Sequence, residues 1–101
     1  MEKVVVVVLR RNPEELESSQ LDALKACLPG KEVEFVRTDP QDYREHDERC
    51  RELNAVAVIL PLERPIPSLA MERGVPHLVF LPDGQVGKLK PLVPEFEPFK
   101  G

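Results

Sequence analysis

The sequence contains only two cysteines and five glycines among its 101 residues, and these shortages disfavour several classes of protein. Cys27 and Cys50 show no C-x-x-C spacing and are too few for a disulfide framework, so two free buried thiols are expected. The glycines form neither a G-x-G-x-x-G motif nor a Walker A loop, which argues against classical dinucleotide and P-loop binding. A G-x-S-x-G nucleophile elbow is also missing, and no catalytic triad is recognisable.

Long apolar runs and an excess of basic residues are missing as well. The valine run at residues 4–8 is far shorter than the ~20 apolar residues of a spanning helix, and it lacks a signal-peptide cleavage site. We therefore expect no membrane segment and a cytoplasmic location. The formal net charge of -4 argues against binding to double-stranded nucleic acid, because backbone binding needs a broad basic surface.

What the sequence does contain is an apolar stretch at residues 3–9, K-V-V-V-V-V-L. Its valines do not alternate with polar residues, which is typical of a central strand covered on both faces. Asn12, Pro13 and Glu15 follow it in a pattern that resembles a helix cap, first helical residue and capping box. The sequence thus predicts a strand that leads directly into a helix over residues 13–28.

The same strand-to-helix order recurs along the chain. Further strands are predicted over residues 32–37, 55–60 and 77–81, with helices over residues 40–53 and 68–73. Asp39 and Pro40 repeat the cap and proline of the first junction. This alternation predicts a mainly parallel three-layer α/β sheet in the order 2-1-3-4, and residues 85–89 are compatible with an antiparallel hairpin strand. The domain is expected over residues 1–90. Residues 91–101 are expected to form an extended proline-rich tail in which Phe96 and Phe99 anchor onto the domain or a second subunit.

The second predicted helix raises the question of a metal site. Asp42, His46 and Cys50 stand at i, i+4 and i+8 and so share a helical face. A compact site also needs ligands from elsewhere, and no second cluster is visible. Tyr43, His46, Cys50 and Leu53 also form the only inward stripe of this helix. Packing is therefore the favoured interpretation, and we expect no metal and no cofactor.

The candidate ligand site lies where the predicted strands end, because ligands of open α/β sheets collect at the carboxyl edge. Arginine forks match phosphate oxygens, and Asn, Thr and Ser can contact sugars or bases. The competing interpretation is that the asparagine caps a helix and that the arginines are solvated charges. The candidate residues follow the first, second and third strands: Arg10, Arg11, Asn12, Thr38, Glu63, Arg64 and Ser68.

The chain resembles the small Rossmann-like proteins of type III CRISPR loci, the CARF-like and ring-nuclease families. The residues that carry the likeness are Arg10-Arg11-Asn12-Pro13 after the first strand, then Ile59-Leu60-Pro61 through Gly74 to the strand at residues 77–81. The resemblance implies binding of a cyclic oligoadenylate, with metal-independent ring opening as an open question. No catalytic residue is matched, and the proline-rich bend at residues 61–67 departs from the pattern.

Roles follow from this resemblance and from residue type. We expect Arg10, Arg11 and Arg64 to contact phosphates, and Asn12 and Ser68 to contact sugar or base. A homodimer with the site near its axis is expected, since two-fold pairing suits a cyclic ligand. The alternative function is a non-catalytic adaptor domain whose phenylalanine-containing tail docks on a protein partner.

Overall fold

A mixed six-stranded sheet positions every element in the part of the chain that the structure describes. The computed structural model describes residues 2–61, 68–90 and 95–99. The strands are β1 (Glu2–Leu9), β2 (Lys31–Thr38), β3 (Ala55–Ile59), β4 (His77–Phe80), β5 (Val86–Leu89) and β6 (Phe96–Pro98). The helices are α1 (Ser18–Ala26), α2 (Tyr43–Glu52) and α3 (Leu69–Glu72), with a 3-10 turn at Pro13–Glu15.

The strand order is β2-β1-β3-β4-β5-β6. The pairs β1–β2, β1–β3 and β3–β4 are parallel, whereas β5 runs antiparallel to β4 and β6 antiparallel to β5. The predicted parallel order 2-1-3-4 and the antiparallel return of the C-terminal hairpin are therefore confirmed. Strand β6 was not predicted. It is the part of the expected tail that pairs with β5, and it adds a sixth strand to the sheet.

The valine run explains why β1 lies at the centre of the sheet. Val6, Val7 and Val8 have no exposed surface. Val7 packs with Cys50 of α2 and Ala70 of α3, while its two neighbours pack on the other face with α1. Alternate valines thus serve opposite layers. The result is a three-layer arrangement with α1 on one face and α2 and α3 on the other.

The start of the first helix was predicted wrongly. The turn at Pro13–Glu15 ends at Leu16, which has extended backbone (φ -76°, ψ 136°), and α1 begins only at Ser18. Asn12 makes no capping hydrogen bond to this turn; instead the Gln20 side chain accepts from the backbone N–H of Glu17 at the start of α1. Leu16 is buried in the α1-side core. The interruption therefore places an apolar side chain under the helix.

The second helix also starts later than predicted. Its cap is Asp42, whose carboxylate accepts from the Glu45 backbone N–H at 2.9 Å, not Asp39. His46 and Cys50 are buried, as the inward stripe predicts, but Tyr43 is 55% exposed. As the first residue of α2, Tyr43 lies beyond the buried part of that stripe. Within the described residues, none of the helices has the length and apolar character needed to cross a bilayer.

Candidate functional site

The ends of β1 and β2 lie side by side. Leu9 pairs with Thr38 in the last register position, and the Arg10 backbone N–H donates to the Thr38 carbonyl at 2.8 Å. Four of the predicted ligand residues are therefore neighbours at the carboxyl edge of two adjacent strands. We call the group Arg10, Arg11, Asn12, Arg37 and Thr38 the arginine edge.

Arg10 has an uncommon backbone at this edge. Its φ of 56° falls in the left-handed region, which non-glycine residues rarely occupy. Its Nη2 donates to the Pro40 carbonyl at 2.9 Å, which joins the loop after β1 to the loop after β2. Strained residues of this kind cluster at functional sites and persist only where surrounding contacts hold them. One donor of the guanidinium is used in this bond.

Arg37 is the edge residue that the site prediction missed. It forks onto Asp39, with Nε donating to Oδ2 at 2.9 Å and Nη2 to Oδ1 at 3.1 Å, while Nη1 donates to Asn12 Oδ1 at 2.7 Å. The hydrogen bond from Arg37 lowers the pKa of Asp39, and the same bond raises the pKa of Arg37. The signal was present in the sequence, since Arg37 precedes Asp39-Pro40 at the spacing at which Arg10 precedes Asn12-Pro13. Arg37 orients Asn12.

Arg11 and Thr38 keep unused hydrogen-bonding capacity within the described residues. The Arg11 Nε lies 3.9 Å from the Glu15 carboxylate, which is an ion-pair distance but too long for a hydrogen bond. Thr38 is 5% exposed, and its Oγ1 has no hydrogen-bond partner there. An unsatisfied buried hydroxyl is uncommon in folded proteins. Arg11 therefore has donors left for a ligand at the edge, and Thr38 adds an unpaired hydroxyl that is buried beside it.

The remaining predicted residues do not join this group in the described structure. Glu63 and Arg64 lie outside the described residues, as does most of the proline-rich bend. Ser68 is the cap of α3: its hydroxyl accepts from the Met71 N–H at 3.4 Å and lies 3.3 Å from His77 Nε2. It thus belongs to a second polar group, buried between the sheet and α2.

That second group is built on two histidines. His77 Nδ1 lies 3.1 Å from the Val75 carbonyl, so this nitrogen carries the proton and Nε2 is the acceptor. His46 Nε2 lies 3.0 Å from His77 Nε2 and must therefore be the donor. Any other pair of neutral tautomers would place two N–H groups face to face, or two acceptors face to face. The two rings share one proton in a T-shaped arrangement, with centroids 5.3 Å apart.

Burial controls the titration of this group. Desolvation lowers the pKa of His77 to about 4, aided by the neighbouring His46 and opposed by the Val75 hydrogen bond. Desolvation likewise lowers the pKa of His46 and raises that of the Cys50 thiol to about 11, with the Asp47 charge acting against the His46 shift. The pair is neutral at pH 7. It ties α2 to β4.

The metal alternative finds no support in this geometry. Cys50 Sγ lies 3.9 Å from both ring nitrogens of His46, so it is directed at neither nitrogen lone pair. Asp42, the third residue of the predicted row, is occupied as the cap of α2. Among the described residues, no group of three His, Cys, Asp or Glu side chains is arranged to hold a metal ion.

Comparisons with protein-family models, with curated proteins and with solved structures found no match to this chain.

Proposed function

We propose that the protein binds a cyclic oligonucleotide of the oligoadenylate type at the arginine edge, in the context of type III CRISPR defence. The observation that carries this proposal is the placement of three arginines and an unpaired buried threonine hydroxyl at two adjacent strand ends. Strand ends of open α/β sheets are where such ligands bind. The proposal includes a cytoplasmic location and a homodimer.

The arginines divide into two roles under this proposal. Arg37 is engaged by Asp39 and Asn12 and acts as a positioning residue. Arg10 and Arg11 contact phosphates, because each has guanidinium donors left over within the described residues. Exchanging the long Arg11–Glu15 ion pair for a phosphate contact costs little, since exposed ion pairs contribute about 0–1 kcal/mol. The Asn12 amide and the Thr38 hydroxyl face sugar or base.

Ring opening would need no metal. The ribose 2′-oxygen attacks the adjacent phosphorus, the bond to the 5′-oxygen breaks, and the products are a 2′,3′-cyclic phosphate and a free 5′-hydroxyl. The protein would hold the attacking oxygen in line and stabilise the developing phosphorane charge with arginine. Chromatography of the ligand after incubation with chelator distinguishes binding alone from this phosphodiesterase activity.

Calorimetric titration with cyclic oligoadenylates of different ring size tests the binding proposal. Replacing Arg10→Ala together with Arg11→Ala should weaken binding by at least about tenfold, because each charge-assisted contact contributes about 1.5–3 kcal/mol. The matched control is Lys3→Ala with Lys31→Ala. Those lysines lie at the opposite ends of the same two strands, where they pair with Glu34 and Glu2, and their loss changes the net charge equally.

The control double variant should bind like the parent protein. Circular dichroism at each titration temperature confirms that both variants are folded, which matters because Arg10→Ala also removes the bond to Pro40. Equal affinity of the two double variants would remove the arginines from the site. Absence of binding by the parent protein to every ring size would overturn the proposed function.

The alternative function is a non-catalytic adaptor, and one observation favours it. Phe96 lies on the edge strand β6 and is 40% exposed. Phe99, the other tail residue expected to dock on a partner, packs against the protein's own α1-side core. An adaptor interaction would therefore centre on Phe96 and the open edge of β6. Loss of partner capture in Phe96→Ala, without loss of ligand binding, is its distinguishing result.

A further inference from the structure

A cleft of about 610 Å³ is lined by residues of both α2 and α3. It is lined by the outward face of α2 and by the first and last residues around α3. It contains Ser68 but none of the residues of the arginine edge. Its volume falls in the range of small-molecule sites.

The walls of this cleft are held in fixed positions. The Asp47 carboxylate of α2 accepts from the backbone N–H groups of Leu69 and Ala70 at 3.2 and 3.1 Å. Beneath them the His46–His77 hydrogen bond ties α2 to the sheet. Charge-assisted bonds of this kind order both partners. The relative position of the two helices that line the cleft is therefore fixed by these bonds.

Two large apolar side chains are exposed at the cleft. Tyr43 is 55% and Leu69 52% exposed, and together with Phe96 they are the exposed large hydrophobic residues of the described chain. Both line the cleft, one from each wall. A tyrosine face and a neighbouring aliphatic side chain form a suitable surface for a planar ring.

The lining carries three arginines and three carboxylates and so has no net formal charge, but its two signs are differently engaged. The Asp47 carboxylate is occupied by amides of α3, and Glu48 forms an ion pair with Arg44 at 3.7 Å. Within the described residues, Arg51 and Arg73 have no ion-pair partner, which leaves two arginines and a single carboxylate, Glu72, in the lining. Arg51 stands eight residues after Tyr43 on α2, so their backbone positions are about 12 Å apart along the helix axis.

We propose that this cleft binds a planar aromatic ring that carries an anionic group, as a nucleoside monophosphate does. The ring stacks on Tyr43 beside Leu69, and the anion lies between Arg51 and Arg73. The site is separate from the arginine edge and does not depend on the function proposed for that edge. Cations at helix C-termini also complement the helix dipole, and a role limited to that would affect stability without affecting ligand binding.

Intrinsic fluorescence is a direct test, because Tyr43 is the only tyrosine and the chain has no tryptophan. Adenosine monophosphate should quench the emission saturably, with parallel titration of N-acetyltyrosinamide correcting for ligand absorption. Adenosine and ribose 5-phosphate should each bind at least about tenfold more weakly, because each lacks one of the two recognised groups. Equal binding of adenosine would overturn the anion site, and no saturable quenching would overturn the cleft proposal entirely.

Paired variants locate the ligand. Arg51→Ala with Arg73→Ala should weaken adenosine monophosphate binding about tenfold or more. Arg49→Ala, a control in the same last turn of α2 whose side chain pairs with Glu52, should leave binding unchanged. Arg10→Ala with Arg11→Ala should also leave it unchanged, so failure here is distinguishable from failure at the arginine edge. Undiminished binding by the Arg51/Arg73 double variant contradicts the proposal.

Discussion

His77 has no exposed surface, yet both of its ring nitrogens are satisfied. The Val75 carbonyl selects its tautomer, and that tautomer in turn requires His46 to donate. One proton is thus shared in a position where two would repel each other. A buried polar pair of this kind is stable only while both partners remain neutral.

This arrangement predicts a specific dependence of stability on pH. Because burial lowers the pKa of His77 from its ordinary 6.5 to about 4, the unfolded chain binds the proton more readily in that interval. The contribution to the free energy of unfolding is fully present above pH 6.5 and is lost as the pH falls toward 4. The loss should reach about 3 kcal/mol. Urea unfolding at pH 7.0, 5.5 and 4.5, followed by circular dichroism, measures it.

The variant His77→Gln isolates this effect from that of the carboxylates. It should be less stable than the parent at pH 7, since the buried hydrogen bonds are altered, but its stability should fall less between pH 6.5 and 4.5. If the variant and the parent lose stability in parallel over that range, the histidine pair is not the source of the acid sensitivity.

At the scale of elements, side-chain hydrogen bonds distinguish the residues that cap a helix from residues of the same type that do not. The chain contains two cap-like residues directly before proline, Asn12 and Asp39, and neither caps a helix. Asn12 is bound by Arg37, and Asp39 forms an ion pair with the same arginine. The caps of α2 and α3 are Asp42 and Ser68, each of which accepts from a backbone N–H three residues later.

Substitution of the two aspartates tests this assignment. Asp42→Ala should lower the free energy of unfolding by about 1 kcal/mol, because the Glu45 N–H loses its acceptor at the start of α2. Asp39→Ala, a matched control with the same charge change three residues earlier, should change stability much less than Asp42→Ala does, since its ion pair is exposed. Denaturant unfolding at pH 7 is the measurement, and a larger loss for Asp39→Ala would show that the cap has been misassigned.

The C-terminal strand is also an element that tertiary contacts define. The Phe99 N–H donates to the Val86 carbonyl at 2.9 Å, and the Cys27 thiol donates to the Phe99 carbonyl at 3.4 Å. Burial raises the pKa of Cys27, which keeps this thiol protonated as a donor. Phe99 therefore anchors the tail on the protein's own domain, one of the two roles expected for it.

For the whole molecule, a two-fold dimer remains our expectation. Of the two tail phenylalanines expected to anchor on the domain or a second subunit, Phe99 packs internally and Phe96 is exposed; Leu69 of α3 is exposed as well. Leu69 lines the α2–α3 cleft, so we expect the interface to use Phe96 on the edge strand β6. Because β6 lies at the opposite end of the sheet from β1 and β2, this dimer would not place the arginine edge near its axis. Open edge strands readily pair with a second copy.

Sedimentation at micromolar concentration, with and without cyclic oligoadenylate, measures the oligomeric state. We expect a dimer that Phe96→Glu converts to a monomer, because the interface would bury a charge. Leu69→Glu should remain dimeric. A monomer with and without ligand would exclude a shared site and favour the adaptor alternative, whereas a dimer unaffected by Phe96→Glu would place the interface elsewhere.

The sheet was predictable because a strand that is buried on both faces shows a run of consecutive apolar residues in the sequence. A strand such as β1 that contacts helices on either side must be apolar at successive positions. Its central position in the sheet follows from that pattern. The repeated strand-to-helix order then requires parallel pairing through right-handed crossovers. The neighbouring positions of Arg10, Arg11, Asn12 and Thr38 follow from the same topology, since parallel strands end at one edge.

Only the tertiary structure decided which polar groups meet. His46 and His77 are 31 residues apart, Arg37 and Asn12 are 25 apart, and Asp47 reaches amides 22 and 23 residues away. Whether such distant residues meet depends on the strand register and on where each helix starts. A shift of one residue would reverse the side-chain directions in a strand. Sequence periodicity shows which face of a helix or strand is buried. Which polar side chains become hydrogen-bond partners depends on how the helices and strands pack together. The chain therefore determines its sheet by local pattern and its polar clusters by packing.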